Sequence, residues 1–284
     1  MIDAYVNNPK SIKYYVKKFI DARGSNLKGK LVLDVPAGNG VTTEILLANE
    51  ATVEPFDLFP EYFKIKEVEC KRANVFEGIP VKDNHADMLI CQEGIEHLSD
   101  HLKVFKEFNR TLKIGGELVV TTPSYSNLSS RFSYFLFESE NNKQMPPNEL
   151  TDIWMVNKTI TSEIYHGHIF LIGLQKLRTI GKLAGFNIKE IKYVRLSRAS
   201  LLLFPVFYPL ILVSSVLRYF RNMAKNPEIP KQIKSAVYKE QLELNINPKH
   251  LLNKHTFVIF EKVKECRDVN FNYDSVMKSF TGVM

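Results

Sequence analysis

The chain has 284 residues, of which 45% are hydrophobic and 24% are charged, so it is an ordinary globular composition with enough length for a full core. Its three cysteines are an odd number without metal-type spacing, which argues against a zinc-binding or disulfide-framework class and indicates a reducing compartment. The net charge of +7 is uneven, because residues 218–254 hold eight Lys or Arg and three Glu.

The first segment, residues 1–28, has apolar residues at helical spacing with lysines on the other face, so it predicts an N-terminal helix that stops at Gly24. It has no apolar stretch of the secretory-signal type, and we therefore expect a cytoplasmic protein. Beyond it, strands and helices alternate, which predicts a parallel sheet with helices on both faces. The predicted strands are 30–35, 51–58, 72–75, 86–92 and 117–123, and the predicted helices are 40–50, 60–69 and 99–116.

This alternation stops at residue 123, where a polar and aromatic segment reaches residue 165 and predicts a lid. A helix (173–186), a strand (187–196) and a final strand (255–263) are predicted after it. The domain boundaries that we expect are an N-terminal helix (1–28), a core that includes the lid (29–198), an apolar and basic insertion (199–254), and a last strand with a tail (255–284).

The turn after the first strand reads VLDVPAGNG (32–40), with an acid first and two glycines two apart. A dinucleotide fingerprint needs a different glycine pattern, and an acid beside a pyrophosphate would be unfavourable. An acid beside a cationic ligand without phosphate is favourable. Asp57, at the predicted end of the second strand, has a carboxylate that can accept two hydrogen bonds from a ribose diol. S-adenosylmethionine is such a ligand, because it has a sulfonium, an ammonium, a ribose diol and an adenine, and no phosphate.

Several ordered motifs now resemble the class I S-adenosylmethionine-dependent methyltransferases: VLDVPAGNG, VEPFDLF, ANVFEGIPVKDNHADMLICQEGIEHLSD, LKIGGELVVTTP and YHGHIFLIGLQKLRTIGKLAGF. The closest likeness is to the type 11/12-like branch, over residues 28–193 and 255–263. The resemblance implies an α/β fold, namely a doubly wound seven-strand Rossmann-like methyltransferase sheet with a helical insertion before the last strand. It implies S-adenosyl-L-methionine as the cofactor.

The resemblance also implies a set of cofactor-binding residues. Pro36 departs from the family by replacing the first glycine, which removes one N–H, and Asn74 stands where an acid is usual. The residues implied are Asp34, Pro36, Ala37, Gly38 and Gly40 in the turn, Asp57 and Leu58 at the ribose, Asn74 and Val75 at the adenine, and Gln92 and Glu93 at the methionine end.

Glu93, Glu96 and His97 follow the fourth predicted strand, and three interpretations of them stay open. They can line the methionine pocket and cap a helix. His97 or His168 can be a general base, so His97, Glu93 and His168 are the catalytic candidates. Glu93, Glu96 and His97 can instead hold Mg²⁺ or another divalent metal, with His166 or His168 completing the site.

Aromatic residues of the predicted lid are either walls of the acceptor pocket or the core of the lid itself. They are Tyr125, Phe132, Tyr134, Phe135, Phe137 and Trp154.

Residues 199–217 form an uncharged apolar run that is long enough to cross a bilayer. A single crossing would separate the last strand from its sheet, and Pro205 and Pro209 favour a bent segment. We therefore expect a re-entrant or in-plane helix, with the basic stretch after it meeting anionic headgroups on the inner face of the membrane. A buried helical insertion or a dimer contact is the alternative.

The sequence therefore predicts methyl transfer to a hydroxyl of a sugar, glycolipid or other membrane-proximal precursor. O-methylation of a quinone-type or small aromatic substrate is the alternative within enzymes, and a non-catalytic cofactor-binding subunit of a membrane complex is the alternative of another class. The expected partners are a small-molecule, glycan or lipid-linked acceptor and a peripheral anionic membrane. A nucleic-acid partner is not expected, since no recognition motif is present, and the oligomeric state is open.

Overall fold

The computed structural model describes residues 4–139, 145–150, 152–155 and 164–269, with the backbone alone for 153–155 and 164–166. In these residues the strands are β1 Leu31–Asp34, β2 Thr52–Asp57, β3 Lys71–Arg72, β4 Ala86–Gln92, β5 Leu112–Pro123, β6 Ile153–Met155, β7 Ile164–His166, β8 Phe186–Ile191 and β9 His255–Lys262. Seven of them form one sheet in the order β3-β2-β1-β4-β5-β9-β8, and β6 and β7 form a separate antiparallel pair.

Strands β1 to β5 of the sheet pair in parallel, while β9 is antiparallel to both β5 and β8. Helices follow the strands on both faces. They are α1 Ile12–Asp21, α2 Val41–Ala48, α3 His101–Thr111, α4 Leu128–Phe137, α5 Leu174–Leu183, α6 Arg198–Ala224, α7 Lys231–Ile246 and α8 Pro248–Leu252. The predicted doubly wound seven-strand sheet is thus confirmed.

Two hydrophobic cores cover the two faces of the sheet, because alternate side chains of a strand point to opposite faces. Along β1, Val32 belongs to the core that also holds the residues of α1 and α2, whereas Leu33 belongs to the core that holds those of α3 and α5. The buried parallel strands β1, β2, β4 and β5 end at the same edge of the sheet, and this carboxyl edge carries the polar turns.

Local capping explains where several helices begin. The Ser11 side chain accepts a hydrogen bond from the Lys13 N–H at α1, and the Asp100 carboxylate accepts one from the Lys103 N–H at α3. The Asn127 side chain does the same for α4. Each cap satisfies an amide that has no partner within the helix.

The predicted helix at residues 60–69 is wrong. Only a single 3-10 turn, Pro60–Tyr62, forms there, and Phe63 is already extended. In the chain that follows, half-buried Phe63 and Ile65 alternate with exposed Lys64 and Lys66, which is the period of an extended segment.

The predicted helix at 99–116 ends early, at Thr111. Leu112 pairs with Ala86 of β4 and begins β5, so the two glycines lie inside a strand instead of closing a helix.

The predicted helical insertion before the last strand is confirmed, since α6, α7 and α8 lie between β8 and β9. Pro205 and Pro209 do not end α6, which is one helix of 27 residues. Both prolines are exposed, so water can reach the carbonyl groups that they leave without an N–H donor.

Candidate functional site

The turn between β1 and α2 forms the centre of the carboxyl edge. Gly38 and Gly40 have φ of +54° and +90°, and Gly40 is the N-cap of α2. A Cβ on Gly40 would lie 2.5 Å from Ile65 Cγ1, so the extended segment after β2 packs directly over this glycine. The turn therefore needs glycine both for its left-handed backbone and for this close approach.

The ring of Pro36 lies against Gly94, in the turn that follows β4. The Ala37 N–H, next in the chain, donates to the Phe56 carbonyl of β2. Pro36 therefore joins the β1 and β4 turns, and its ring is used for packing at the position where the family has a glycine.

Asp34, the last residue of β1, is buried in this turn. Its Oδ2 accepts a hydrogen bond of 2.7 Å from Thr43 Oγ1 in α2, while its Oδ1 has no hydrogen-bond partner. Burial raises the pKa of this carboxyl to about 7, with a further rise from Asp57, although the Thr43 hydrogen bond opposes the change. A buried oxygen without a donor is suited to a ligand that brings an N–H or a positive charge.

Asp57, at the end of β2, holds the glycine turn from the other side. Its Oδ2 accepts a 2.7 Å hydrogen bond from the Gly38 N–H, and its Oδ1 accepts one of 2.8 Å from the Phe59 N–H. A carboxylate oxygen can accept more than one hydrogen bond, so these two bonds orient Asp57 and leave it acceptor capacity toward a diol. Leu58, between Asp57 and Phe59, is half-buried.

Asn74 and Val75 follow β3 at the same edge. The Asn74 side chain accepts from the Phe76 N–H and donates to the Glu77 carboxylate, so it shapes its own turn. Val75 is buried beside it in a core cluster. The pair therefore offers a fixed amide and an apolar wall.

Gln92 and Glu93 end β4, which neighbours β1. Gln92 accepts a 2.9 Å hydrogen bond from Thr42 Oγ1 in α2, and Glu93 Oε1 accepts one of 3.0 Å from Thr121 Oγ1 in β5. Burial raises the pKa of Glu93 to about 7. His255 lies 3.8 Å from Glu93, and its own pKa is lowered to about 4 by burial and by Arg195 and Lys254, so it is neutral near pH 7.

Glu96 lies in the short 3-10 turn Ile95–His97 and is 1% exposed. Its Oε2 accepts a 2.9 Å hydrogen bond from Thr122 Oγ1. Burial, and then the nearby charge of Glu93, raise the pKa of Glu96 to about 8. Two carboxyls so placed favour a neighbouring cation.

His97 and His168 face each other, with ring centroids 5.3 Å apart. His97 Nδ1 is 3.2 Å from the Gly167 carbonyl oxygen. Because a carbonyl can only accept, Nδ1 carries the proton and Nε2 is the basic nitrogen. The structure thus brings His97 and His168, two of the three catalytic candidates, together.

Ligand atoms of Glu96, His97 and His168 all lie within 4.8 Å of one another, which is a spacing that a metal ion could use. Glu93, which the sequence placed in the metal set, is outside this group and faces Thr121 and His255. The side chain of His166 lies outside the described residues.

Two cysteine thiols, Cys70 and Cys91, lie near the acids of this edge. Burial raises the pKa of Cys70 to about 12, with further contributions from Asp57, Asp34 and Glu61. Burial likewise raises the pKa of Cys91, and the next causes are Glu96 and Asp34. The residues present fit a ligand such as S-adenosylmethionine, because the buried Asp34 Oδ1 has no hydrogen-bond partner and can receive an N–H or a positive charge.

The aromatic candidates of the lid separate into different environments. Tyr125 packs edge-on against Tyr134, and Phe132 packs against Phe207 of α6, with centroids 5.3 and 5.4 Å apart. Phe135 and Phe137 are exposed, so they do not line a pocket in this structure. The side chain of Trp154 lies outside the described residues, as do residues 140–144, 151 and 156–163 of the predicted lid.

Sequence reasoning missed the hydroxyl groups that hold these acids. Thr43, Thr121 and Thr122 each donate to one of the site carboxyls. The available signal was position, because Thr121 and Thr122 precede the end of β5 and Thr43 lies in the first turn of α2. The sequence places all three at the carboxyl edge.

Comparison with known proteins places this geometry in a family. A family model described as a methyltransferase domain matches residues 10–191. The crystal structure of a SAM-dependent methyltransferase from Archaeoglobus fulgidus is similar, with a TM-score of 0.51 and 14% identity, covering 92% of this chain and 100% of that one. At this identity the likeness is one of fold.

Curated relatives match a shorter stretch. A ubiquinone biosynthesis O-methyltransferase of Acinetobacter baumannii is 29% identical over 114 residues, covering 37% of this chain and 48% of that protein. The corresponding protein of Salmonella enteritidis is 30% identical over 113 residues, with 37% and 47% covered. The chain therefore spans about half the length of the curated relatives it matches.

Proposed function

The chain belongs to the class I S-adenosylmethionine-dependent methyltransferases, and from this membership we propose that it methylates a hydroxyl of a sugar, glycolipid or other membrane-proximal precursor. One observation carries the choice of site. Asp34, Asp57, Glu93 and Glu96 converge on the carboxyl edge, and none is paired with a lysine or arginine in the part of the chain that the structure describes. A sulfonium and an ammonium supply the positive charge that these acids lack.

The proposed cofactor contacts follow the turns in chain order. The glycine turn (34–40) lets the cofactor approach the protein backbone closely. Asp57 and Leu58 contact the ribose, and Asn74 and Val75 flank the adenine. Gln92 and Glu93 close the methionine end. Their support is that β1, β2, β3 and β4 are neighbours in the sheet and end at one edge.

Methyl transfer asks little covalent chemistry of the protein. When bound, S-adenosylmethionine supplies a methyl group that is already activated on sulfur. The chain must align the acceptor oxygen with the S–CH₃ bond, exclude water and take up the hydroxyl proton as the O–C bond forms and S-adenosylhomocysteine leaves. We assign the proton to His97 Nε2, because the Gly167 carbonyl fixes the ring with Nδ1 protonated.

The general-base role predicts that His97→Asn lowers kcat by about 10²-fold or more, since general bases contribute on this order, and leaves S-adenosylmethionine affinity unchanged. The measurement is S-adenosylhomocysteine release, with cofactor affinity from calorimetry. His85→Asn is the matched control, because His85 is bonded to Glu54 next to the start of β4, at the opposite edge of the sheet. An unchanged rate in His97→Asn would contradict the assignment.

A metal role for Glu96, His97 and His168 is the second candidate, which their spacing favours. EDTA separates the two roles. Full activity after EDTA treatment supports the base, whereas loss of activity that Mg²⁺ restores supports a metal bound by these residues.

The acceptor is tested by class. Glycolipid and polyprenyl-linked sugar extracts are compared with catechol-type quinone precursors, because the curated relatives are named for ubiquinone biosynthesis. Product from the quinone precursors alone would favour the alternative acceptor. Cofactor binding without product from either class would contradict the proposal and favour the non-catalytic subunit.

A further inference from the structure

Helix α6 carries an exposed apolar face. Its exposed side chains recur at intervals of three or four residues, which places them on one side of the helix. They are Leu202, Val206, Leu210, Val213, Leu217 and Phe220, and Leu202 is 82% exposed. Over an 18-residue window the helix has a mean hydropathy of 2.1 with 6% of the window buried. At ~1.5 Å per residue the face is roughly 25 Å long.

The other side of α6 is held by the protein. Ser200 Oγ donates to Asn127 Oδ1 at 3.1 Å, and Asn245 of α7 donates to Ser215 Oγ at 2.8 Å. Phe207 packs against Phe132 of α4. The helix is therefore fixed on the body of the protein, with its apolar face turned outward.

Helix α4 also has exposed apolar side chains. Helix α4 packs beside α6, and its last residues, Phe135, Leu136 and Phe137, are 81%, 50% and 50% exposed. Exposed apolar side chains on two helices that contact each other suit lipid, which has no fixed shape to match.

Cations bracket this surface. Helix α6 contains no Asp or Glu along Arg198–Ala224. Arg198 lies at one end, and Arg218, Arg221 and Lys225 lie at the other, and within the described residues none of these four makes an ion pair. Free cations beside an apolar face match the anionic headgroups and acyl chains of a bilayer surface.

We propose that the exposed faces of α6 and α4 dock on an anionic lipid bilayer, with α6 lying in the plane of the membrane. This inference goes beyond the proposed function and does not depend on the acceptor.

A spanning orientation does not fit the chain. Helix α7 packs along α6, and it has five charged residues in its 16, so it could not cross the membrane with α6. A second copy of this chain fits poorly as well. Its α6 face would bring more arginines and no acid to Arg198, Arg218 and Arg221.

The test is flotation of the full chain with vesicles of phosphatidylcholine containing about 30% phosphatidylglycerol. We expect the protein to float with these vesicles, and Leu202→Glu with Leu210→Glu to reduce the bound fraction at least about tenfold. Ile114→Glu is the matched control, because Ile114 is a 56% exposed apolar residue at the other edge of the sheet. The cations are tested with Arg218→Gln and Arg221→Gln together, which should lower the bound fraction. Lys103→Gln with Lys106→Gln, on α3, is the charge control for this variant.

Each variant is checked for cooperative unfolding and S-adenosylmethionine binding, so that misfolding is not mistaken for lost docking. Equal flotation of Leu202→Glu/Leu210→Glu and Ile114→Glu would overturn the proposal. A dimer in solution that the α6 variant dissociates, together with no flotation of the unaltered protein, would also overturn it and identify a second copy as the occupant.

Discussion

Asp34 combines a buried carboxyl with an oxygen that has no donor, and this makes the folding free energy depend on pH. Burial raises its pKa from 3.8 to about 7. The folded chain therefore keeps a proton between about pH 4 and 7 that the unfolded chain releases, and stability falls as the pH rises through this window. Below about pH 4 the carboxyl is protonated in both the folded and the unfolded chain, so this contribution to stability is fully present and no longer changes with pH.

We predict that Asp34→Asn removes this contribution, because an amide does not titrate. Between pH 5 and 6.5 the slope of unfolding free energy against pH should become smaller by up to about 1.4 kcal/mol per pH unit. Urea unfolding at several pH values measures it. Asp83→Asn, at a 70% exposed carboxylate, controls for the lost formal charge. Equal slopes in Asp34→Asn and the unaltered protein would show that Asp34 is ionised throughout.

For single residues, the sequence predicted which acids lie at the carboxyl edge better than it predicted their hydrogen-bond partners. Asp34, Asp57, Glu93 and Glu96 all lie at the carboxyl edge, as their positions after strands required. Their hydrogen bonds to Thr43, Thr121 and Thr122 could not be read from spacing, because partners up to 28 residues apart meet only through the strand order. For the same reason Glu93 lies outside the group that Glu96 and His97 form with His168, which the sequence had offered as a completing ligand.

At the scale of elements, Lys234 of α7 holds the end of α6. It is 6% exposed, and its Nζ donates to the carbonyls of Met223, Lys225 and Asn226 at 2.8–3.1 Å. These carbonyls are at the C-terminal end of α6, where a cation is favourable and where acceptors lack partners within the helix.

Lys234→Met should therefore lower the free energy of unfolding by about 2 kcal/mol, since it leaves acceptors without their charged donor. Hydrogen exchange should become faster in the last turn of α6. Lys231→Met, one turn earlier and exposed, is the control and should change stability by less than about 0.5 kcal/mol. Similar losses of stability in both variants would mean that positive charge in general, and not the Lys234 cap, stabilises the pair α6 and α7.

The elements that the sequence misassigned were decided by contacts with distant parts of the chain. Residues 60–69 have polar residues that suit a helix, but Phe63 and Ile65 pack over Gly40 and hold the segment extended. The sequence pattern predicts Leu112 as part of α3, but Leu112 pairs with Ala86 of β4 and is therefore the first residue of strand β5. The apolar run at 199–217 was predicted as a helix, and its exposure is a property of the folded surface that composition does not contain.

At the scale of the whole molecule, the α6–α7 unit is an addition to a sheet that is complete without it. Neither hydrophobic core cluster contains a residue between 198 and 251, although Leu251 of α8 is itself buried. The ends of the insertion meet, because Leu196 bridges to Asn253 and the Ser197 N–H donates to the Leu252 carbonyl at 2.8 Å. A short linker between positions 197 and 252 can thus replace it without strain on β8 or β9.

We therefore predict that replacing residues 198–251 with a Gly-Ser linker of about four residues leaves a chain that unfolds cooperatively and binds S-adenosylmethionine with unchanged affinity. Arg178, which Glu240 of α7 now pairs at 2.6 Å, becomes solvated when α7 is removed, so no buried charge is left behind. Calorimetry and vesicle flotation are measured on the same sample, with the Ile114→Glu full chain as the reference that keeps α6. Loss of cofactor binding would show that the insertion is part of the catalytic body, whereas binding that persists while flotation is lost would assign membrane contact to the insertion and methyl-donor binding to the sheet.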